Sequence, residues 1–257
     1  MYKTVQVKDI IIGEGAPKIC VPITGETLPR LIAEAEQVRT LDLDLVEWRV
    51  DFYEHADDIE MVKKTLGELR AALGDMPLLF TFRTSEEGGQ REIMPADYVA
   101  LNQAVAATGQ VDLIDVEWFN KEQHVRELAE AAQAAGVRVI LSNHDFDKTP
   151  PAEEIVSRLC RAQELGGDIV KIAVMPNSMA DVLILLEATN RMKEQYADRP
   201  LITMSMTGRG VVSRLAGELF GSALTFGSAG RSSAPGQVPV GELRGILSLL
   251  HSELTKG

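Results

Sequence analysis

Short, mostly apolar runs rich in β-branched residues recur along the chain, and a longer stretch of helical periodicity follows each of them. Eight runs read as strands: Lys18–Ile23, Leu43–Asp51, Pro77–Arg83, Asp112–Trp118, Val137–Asn143, Asp168–Met175, Leu201–Met206 and Ala223–Gly227. Nearly continuous apolar strands suit a parallel sheet covered on both faces. The stretches between them carry helix boundaries. Asp57 with Glu60 reads as a capping box for the second helix, Met94-Pro95 opens the third, and Asn120 caps the fourth, which Gly136 ends. Pro150-Pro151 starts the fifth and Gly166-Gly167 ends it. Asn177 or Ser178 caps the sixth, Gly208–Gly221 contains the seventh, and Val240–Leu254 is the eighth. Eight strand–helix units without a linker predict an α/β fold, a (β/α)8 TIM barrel formed by residues 1–257 as a single domain. The structural alternative, an open doubly wound sheet, would carry a GxGxxG turn after its first strand, and nothing of that kind follows Ile23.

Two segments fall outside the rhythm. Thr4–Ile12 holds two short runs ahead of the first barrel strand and is expected to form a β-hairpin closing the bottom of the barrel. Ser228–Pro239 is a glycine-, serine- and proline-rich loop after the last strand. Composition narrows the function. Hydrophobic residues make up 45% of 257, enough for a large core. The formal net charge of -12 repels a phosphate backbone, so nucleic acid is excluded as a partner. The same field attracts no small anion from a distance, so an anionic substrate would need local arginines. Cys20 and Cys160 form no CxxC pair and read as reduced, buried thiols of a cytoplasmic protein. Met1–Gly13 has no long apolar stretch, so no secretory signal is expected. No run of about eighteen apolar residues is present to span a membrane.

Barrel chemistry sits at the C-terminal ends of the strands and in the loops beyond. The second strand ends Glu47-Trp48-Arg49-Val50-Asp51; the third ends Thr81-Phe82-Arg83 and runs into Glu86-Glu87-Gly88-Gly89; the fourth carries Asp115 and Glu117; the fifth ends Ser142-Asn143-His144-Asp145. Lys171, on the sixth, is flanked by Ile169, Val170, Ile172, Ala173 and Val174. Burial without a charge partner disfavours an ammonium and yields a neutral amine, a nucleophile toward ketones and aldehydes. The other reading is a structural ion pair with a barrel carboxylate such as Glu117, and Lys171 alone does not choose between the two. His144, on the strand beside that of Lys171, suits an acid/base role, and Glu87 is placed to orient it; a capping histidine and a solvated acid are the plainer readings. His124 and His251 read as solvated helix-surface residues, and His55 as a reserve candidate. One arginine near a strand end is usually structural, but Arg49, Arg83 and Arg214 together suggest an oxygen-rich anionic ligand. Glu47 suits pairing with one of them or accepting from substrate hydroxyls. Met204 and Met206 suit packing. Ser233 and Gln237 suit hydroxyl recognition by a lid loop. The scattered histidines and the lack of an HxxxH pair point to no metal and no cofactor.

These segments, in this order, resemble the type I 3-dehydroquinate dehydratase family over essentially the whole chain. The matching stretches are Glu47–Asp51, Phe80–Arg83 with Glu87-Gly88-Gly89, Ser142–Phe146, Val170–Ala173, Met204–Met206, Ser213-Arg214 and Ser233–Gln237. The chain departs from the pattern at Pro22, where some members have a serine, and the Glu-Gly-Gly alignment selects Glu87 over Glu86. The resemblance implies a shikimate-pathway lyase, a homodimer, that converts 3-dehydroquinate to 3-dehydroshikimate and water. It places the imine-forming lysine on Lys171, the acid/base histidine on His144 and its partner acid on Glu87. It assigns the substrate carboxylate to Arg214, and the ring hydroxyls and covering loop to Glu47, Arg49, Arg83, Ser233 and Gln237. Two rivals predict different outcomes. A class I aldolase on the same barrel would cleave sugar phosphates, and a non-catalytic acid-binding barrel would form no imine.

Overall fold

The computed structural model describes residues 2–118, 122–230 and 235–256. Two short strands, β1 (Val5–Val7) and β2 (Ile10–Ile12), form an antiparallel hairpin. The barrel strands follow: β3 (Lys18–Ile23), β4 (Leu45–Arg49), β5 (Leu78–Thr81), β6 (Leu113–Glu117), β7 (Arg138–Asp145), β8 (Ile169–Val174), β9 (Leu201–Ser205) and β10 (Leu224–Ser228), with a two-residue extension β11 (Val238–Pro239). Between and after them lie α1 (Leu28–Val38), α2 (Ile59–Leu73), α3 (Pro95–Ala106), α4 (Glu122–Ala134), α5 (Ala152–Glu164), α6 (Met179–Gln195), α7 (Val211–Leu215), α8 (Gly217–Phe220) and α9 (Val240–Leu254). Among the described residues the strands pair in parallel in the order β11-β10-β3-β4-β5-β6-β7-β8-β9. A bridge between Leu201 and Ser222 joins β9 to the approach of β10, which closes the curled sheet into a (β/α)8 barrel.

Alternation along each strand explains how apolar runs can house polar chemistry. One set of side chains, including Val46, Trp48, Phe80, Ile114, Val139, Leu141, Val170 and Ile172, packs outward in a core shared with the helices. The other set points inward. Its lowest layer, with Cys20, Leu45, Leu79, Leu113, Ile140, Ile169, Ile202 and Leu224, is apolar and packs on Val5, Val7 and Ile12 of the hairpin. The hairpin therefore plugs the barrel floor as expected. Two residues further along β4 to β8 the inner positions become polar: Glu47, Thr81, Asp115, Ser142 and Lys171, all buried. Register aligns Thr81 with Asp115 and Ser142 with Lys171 on neighbouring strands.

Several boundaries differ from the sequence reading. The cap of α2 is Asp58, whose carboxylate accepts from the backbone N–H groups of Glu60 and Met61, rather than Asp57. Ser178, not Asn177, caps α6, in a capping box with Asp181. The expected seventh helix is a 3-10 turn, Gly208–Gly210, followed by the short α7 and α8. β7 runs on to Asp145, so His144 lies on the strand itself rather than beyond it. Met94-Pro95 opens α3 and Pro151 precedes α5 as expected. Asn120 lies outside the described residues. Both cysteines are free, but only Cys20 is buried; Cys160 is half-exposed beside Met192.

Candidate active site

The polar inner layers open at the C-terminal end of the barrel into a cavity of about 600 Å3. Glu47, Arg49, Arg83, Glu87, His144, Lys171, Arg214 and Gln237 all line it. Ser233 lies outside the described residues. The apolar part of the wall is Ala173, Met204, Met206, Phe146 and Phe226.

Lys171 is 4% exposed. Its Nζ donates to Asp115 Oδ2 at 2.9 Å and lies 4.6 Å from the centre of the Phe226 ring. The structural half of the sequence reading is thus correct in kind but not in partner. The carboxylate is Asp115, whereas Glu117 accepts from Thr84 and Arg83. The other oxygen of Asp115 accepts from Arg83 Nη2 at 2.7 Å and from Ser142 Oγ at 2.6 Å. Burial alone would raise the Asp115 carboxyl, but Arg83, Lys171 and Ser142 outweigh it and hold the group down to about 2. Asp115 is therefore a fixed negative charge against the lysine.

Glu87 sits in a 3-10 turn, Ser85–Glu87, that the following glycines make possible. Gly88 adopts φ +81° with the Phe146 ring where a Cβ would lie, and a Cβ on Gly89 would fall 1.9 Å from the Arg83 carbonyl oxygen. That packing turns Glu87 inward, 4% exposed, while Glu86 stays in solvent. Glu87 Oε2 lies 2.8 Å from His144 Nδ1 and accepts from the His144 backbone N–H at 3.0 Å. Its Oε1 accepts from Asn143 Nδ2 at 3.0 Å. Burial first, then Glu117, pushes the Glu87 carboxyl up to about 8, against the pull of Arg83 and Asn143. His144 is held well below the ordinary imidazole range by burial and then by Arg83, Lys171 and Arg49. With Nδ1 engaged by Glu87, Nε2 is the ring nitrogen left for a substrate. Phe146 stacks on the imidazole at 6.5 Å between centroids.

The three arginines are not equivalent. Arg49 is held in a two-point pair by Asp51, with both contacts at 2.8 Å. Arg83 is committed to Asp115, Glu117 and, at 3.4 Å, Glu87. Arg214, 2% exposed, meets the Met204 sulfur and the Pro235 carbonyl and no carboxylate among the described residues. Its Nε has no partner among the described residues, and burial lowers it to about 10. Glu47 accepts from Thr81 Oγ1 at 2.8 Å. The remaining histidines are elsewhere: His55 is exposed, His124 is half-buried, and His251 pairs with Glu218 rather than being solvated. Among the described residues, no three His, Cys, Asp or Glu side chains are grouped to hold a metal ion, and no helix is long and apolar enough to cross a membrane.

The sequence reading placed Asp115, Ser142 and Asn143 near the barrel mouth but gave them no part in the site. Asp115 shares the inward phase of Leu113 and Glu117, and a charge in a strand buried on both faces was the available signal. Phe146 and Phe226 carried none, because an apolar residue in a strand reads as core.

The family profile described as type I 3-dehydroquinase matches residues 19–253. A 3-dehydroquinate dehydratase from Syntrophotalea carbinolica is 60% identical over 250 residues, 97% of this chain and 99% of the relative. One from Bacillus licheniformis is 59% identical over 254 residues, 99% of this chain and 100% of the relative. Among solved structures, the type I 3-dehydroquinate dehydratase of Clostridium difficile, with covalent modified comenic acid, superposes with a TM-score of 0.95 at 56% identity. It covers 98% of this chain and 99% of its own.

Proposed function

The chain belongs to the type I 3-dehydroquinase family and is a lyase of the shikimate pathway, and from that premise we propose that it dehydrates 3-dehydroquinate through an imine formed on Lys171. One observation carries the reading. A buried primary amine and a histidine on neighbouring strands, the histidine paired with Glu87, face one cavity, whose wall also holds a guanidinium without an acid partner among the described residues.

Lys171 gives its ammonium proton to His144 and the free amine attacks the C3 ketone to give a carbinolamine, whose hydroxyl takes that proton back and leaves as water to form a protonated imine. The positive charge that began on the ammonium is now on the iminium, and Asp115, kept ionised by Arg83 and Ser142, faces both. A preorganised charge of this kind stabilises the intermediate without moving. The iminium draws electrons from the neighbouring C–H bond, and His144 Nε2 takes the C2 proton to leave an enamine. The enamine expels the C1 hydroxyl, which departs as water with the proton returned by His144. Hydrolysis of the imine then frees Lys171 and releases 3-dehydroshikimate. Such acid–base help is worth about 10²–10⁴-fold. Arg214 takes the substrate carboxylate. Glu47, Arg49, Arg83, Ser233 and Gln237 take the ring hydroxyls and the covering loop.

One base acting at both carbons requires syn elimination. With 3-dehydroquinate labelled stereospecifically at C2, enone absorbance should rise while only the hydrogen on the hydroxyl's face is lost. Loss from the opposite face would remove His144 from one of its two steps. A homodimer in the cytoplasm completes the reading. Two unpaired thiols and the exposed Met179 and Leu183, one turn apart on α6, support it. Sedimentation at the mass of a single chain would refute the dimer.

A further inference from the structure

Asn143 and Arg158 lie outside the cavity wall, yet the contacts they make end on Glu87, the partner of His144. The Asn143 amide is held between a guanidinium and a carboxylate. Arg158 Nη1, from α5, donates to Asn143 Oδ1 at 3.0 Å, and Asn143 Nδ2 donates to Glu87 Oε1 at 3.0 Å. A guanidinium has only donors to offer, so the carbonyl of Asn143 must face Arg158 and its NH2 must face Glu87. The orientation follows from the chemistry of the two neighbours. Arg158 is itself fixed by Asp145 Oδ2 at 3.5 Å and by Glu154 one helical turn earlier. These acids on β7 and α5 offset much of its charge at longer range.

We infer that Arg158 is a positioning residue for the reaction: by holding the Asn143 carbonyl it commits the amide to Glu87 Oε1, which leaves Glu87 Oε2 to orient His144. The inference rests on the reading of His144 as the base. Without Arg158 nothing holds the Asn143 carbonyl, and the amide is free to rotate its NH2 away from Glu87. Glu87 then loses a donor to its ionised form, so the Glu87–His144 pair holds its extra proton to higher pH. Arg49 on β4, Arg83 just after β5, Asp115 and Glu117 on β6 and Lys171 on β8 also face the pair, and all of them are left unchanged.

The test compares Arg158→Met, Arg158→Lys, Asn143→Ala and the Arg158→Met/Asn143→Ala double variant. Each is measured for kcat and KM with 3-dehydroquinate across pH. Arg158→Met should lower kcat about tenfold, the effect of one charge-assisted hydrogen bond, with KM little changed. Its acid limb should move up by about one pH unit. Arg158→Lys should restore most of the loss. In the Asn143→Ala background Arg158→Met should have no further effect, since its route is already cut. An effect that persists in that background would show that Arg158 acts through its charge alone and would overturn the proposal. So would an unmoved acid limb, or equal losses in the Met and Lys variants. Borohydride trapping of Lys171 in every variant separates this failure from failure of the mechanism. A trapped adduct with an unmoved pH profile removes Arg158 only, whereas no adduct in any active form removes the imine itself.

Discussion

Arg214 brings a full charge into the barrel mouth and meets there, among the described residues, a thioether and one carbonyl. Burying a guanidinium without an acid works against folding, and burial does lower this one to about 10. Arg49 and Arg83 are paired with the protein's own carboxylates, which is why Arg214 is the arginine proposed for the substrate carboxylate. Replacing it with methionine should therefore separate binding from stability. Steady-state kinetics of Arg214→Met should show KM up by about 10–100-fold, the loss of hydrogen bonds worth about 1.5–3 kcal/mol, while the melting temperature without substrate stays level or rises. An unchanged KM, or a sharp fall in melting temperature, would mean that the residue is structural. Glu87 gives a second test at this scale. Its carboxyl is raised from 4.5 to about 8, so the protonated form is favoured by folding. The associated stability is present below about pH 4.5 and is lost as pH rises through about 8. Each pKa unit is worth about 1.4 kcal/mol. Thermal melts of the wild type and Glu87→Gln should thus diverge in favour of the glutamine variant as pH rises from 5 to 8. A gap that moves the other way would mean that the donors on Glu87 outweigh its burial.

Element identity was readable because each strand keeps its outward face apolar, and each helix starts or stops on a residue with a local reason to be there. β3 and α9 fall where periodicity placed them, and Pro95 and Ser178 begin their helices by mechanisms visible in sequence. The misread cap shows the limit. Asp57 and Asp58 are chemically equivalent, and only backbone geometry decides which carboxylate reaches the N–H groups of the first turn. Asp58→Ala should lower stability by about 0.5–2 kcal/mol with kcat intact, and Asp57→Ala should do neither. Chemical denaturation of the two variants reads the difference directly. Gly208–Gly221 was expected to contain one helix. Gly210 packs against the Ser205 backbone, where a Cβ would sit 2.3 Å from the carbonyl oxygen, and the segment breaks into shorter turns.

At the scale of the whole molecule, the barrel assigns partners that no strand carries by itself. Asp115 and Lys171 are 56 residues apart on β6 and β8, with β7 between them. Which inner residues meet depends on how the sheet closes, so Glu117 looked as good a partner for the lysine as Asp115. The same closure gathers positive side chains at one mouth of a chain whose net charge is -12, so substrate capture falls to local contacts. Everything in the proposed chemistry passes through one covalent bond. The most direct measurement is borohydride treatment with 3-dehydroquinate present, followed by mass spectrometry of the peptide containing Lys171, in the wild type and in His144→Ala. The mechanism predicts a reduced adduct on Lys171 in both proteins, with turnover stalled in the histidine variant. An unmodified Lys171 in protein that still converts substrate would contradict it.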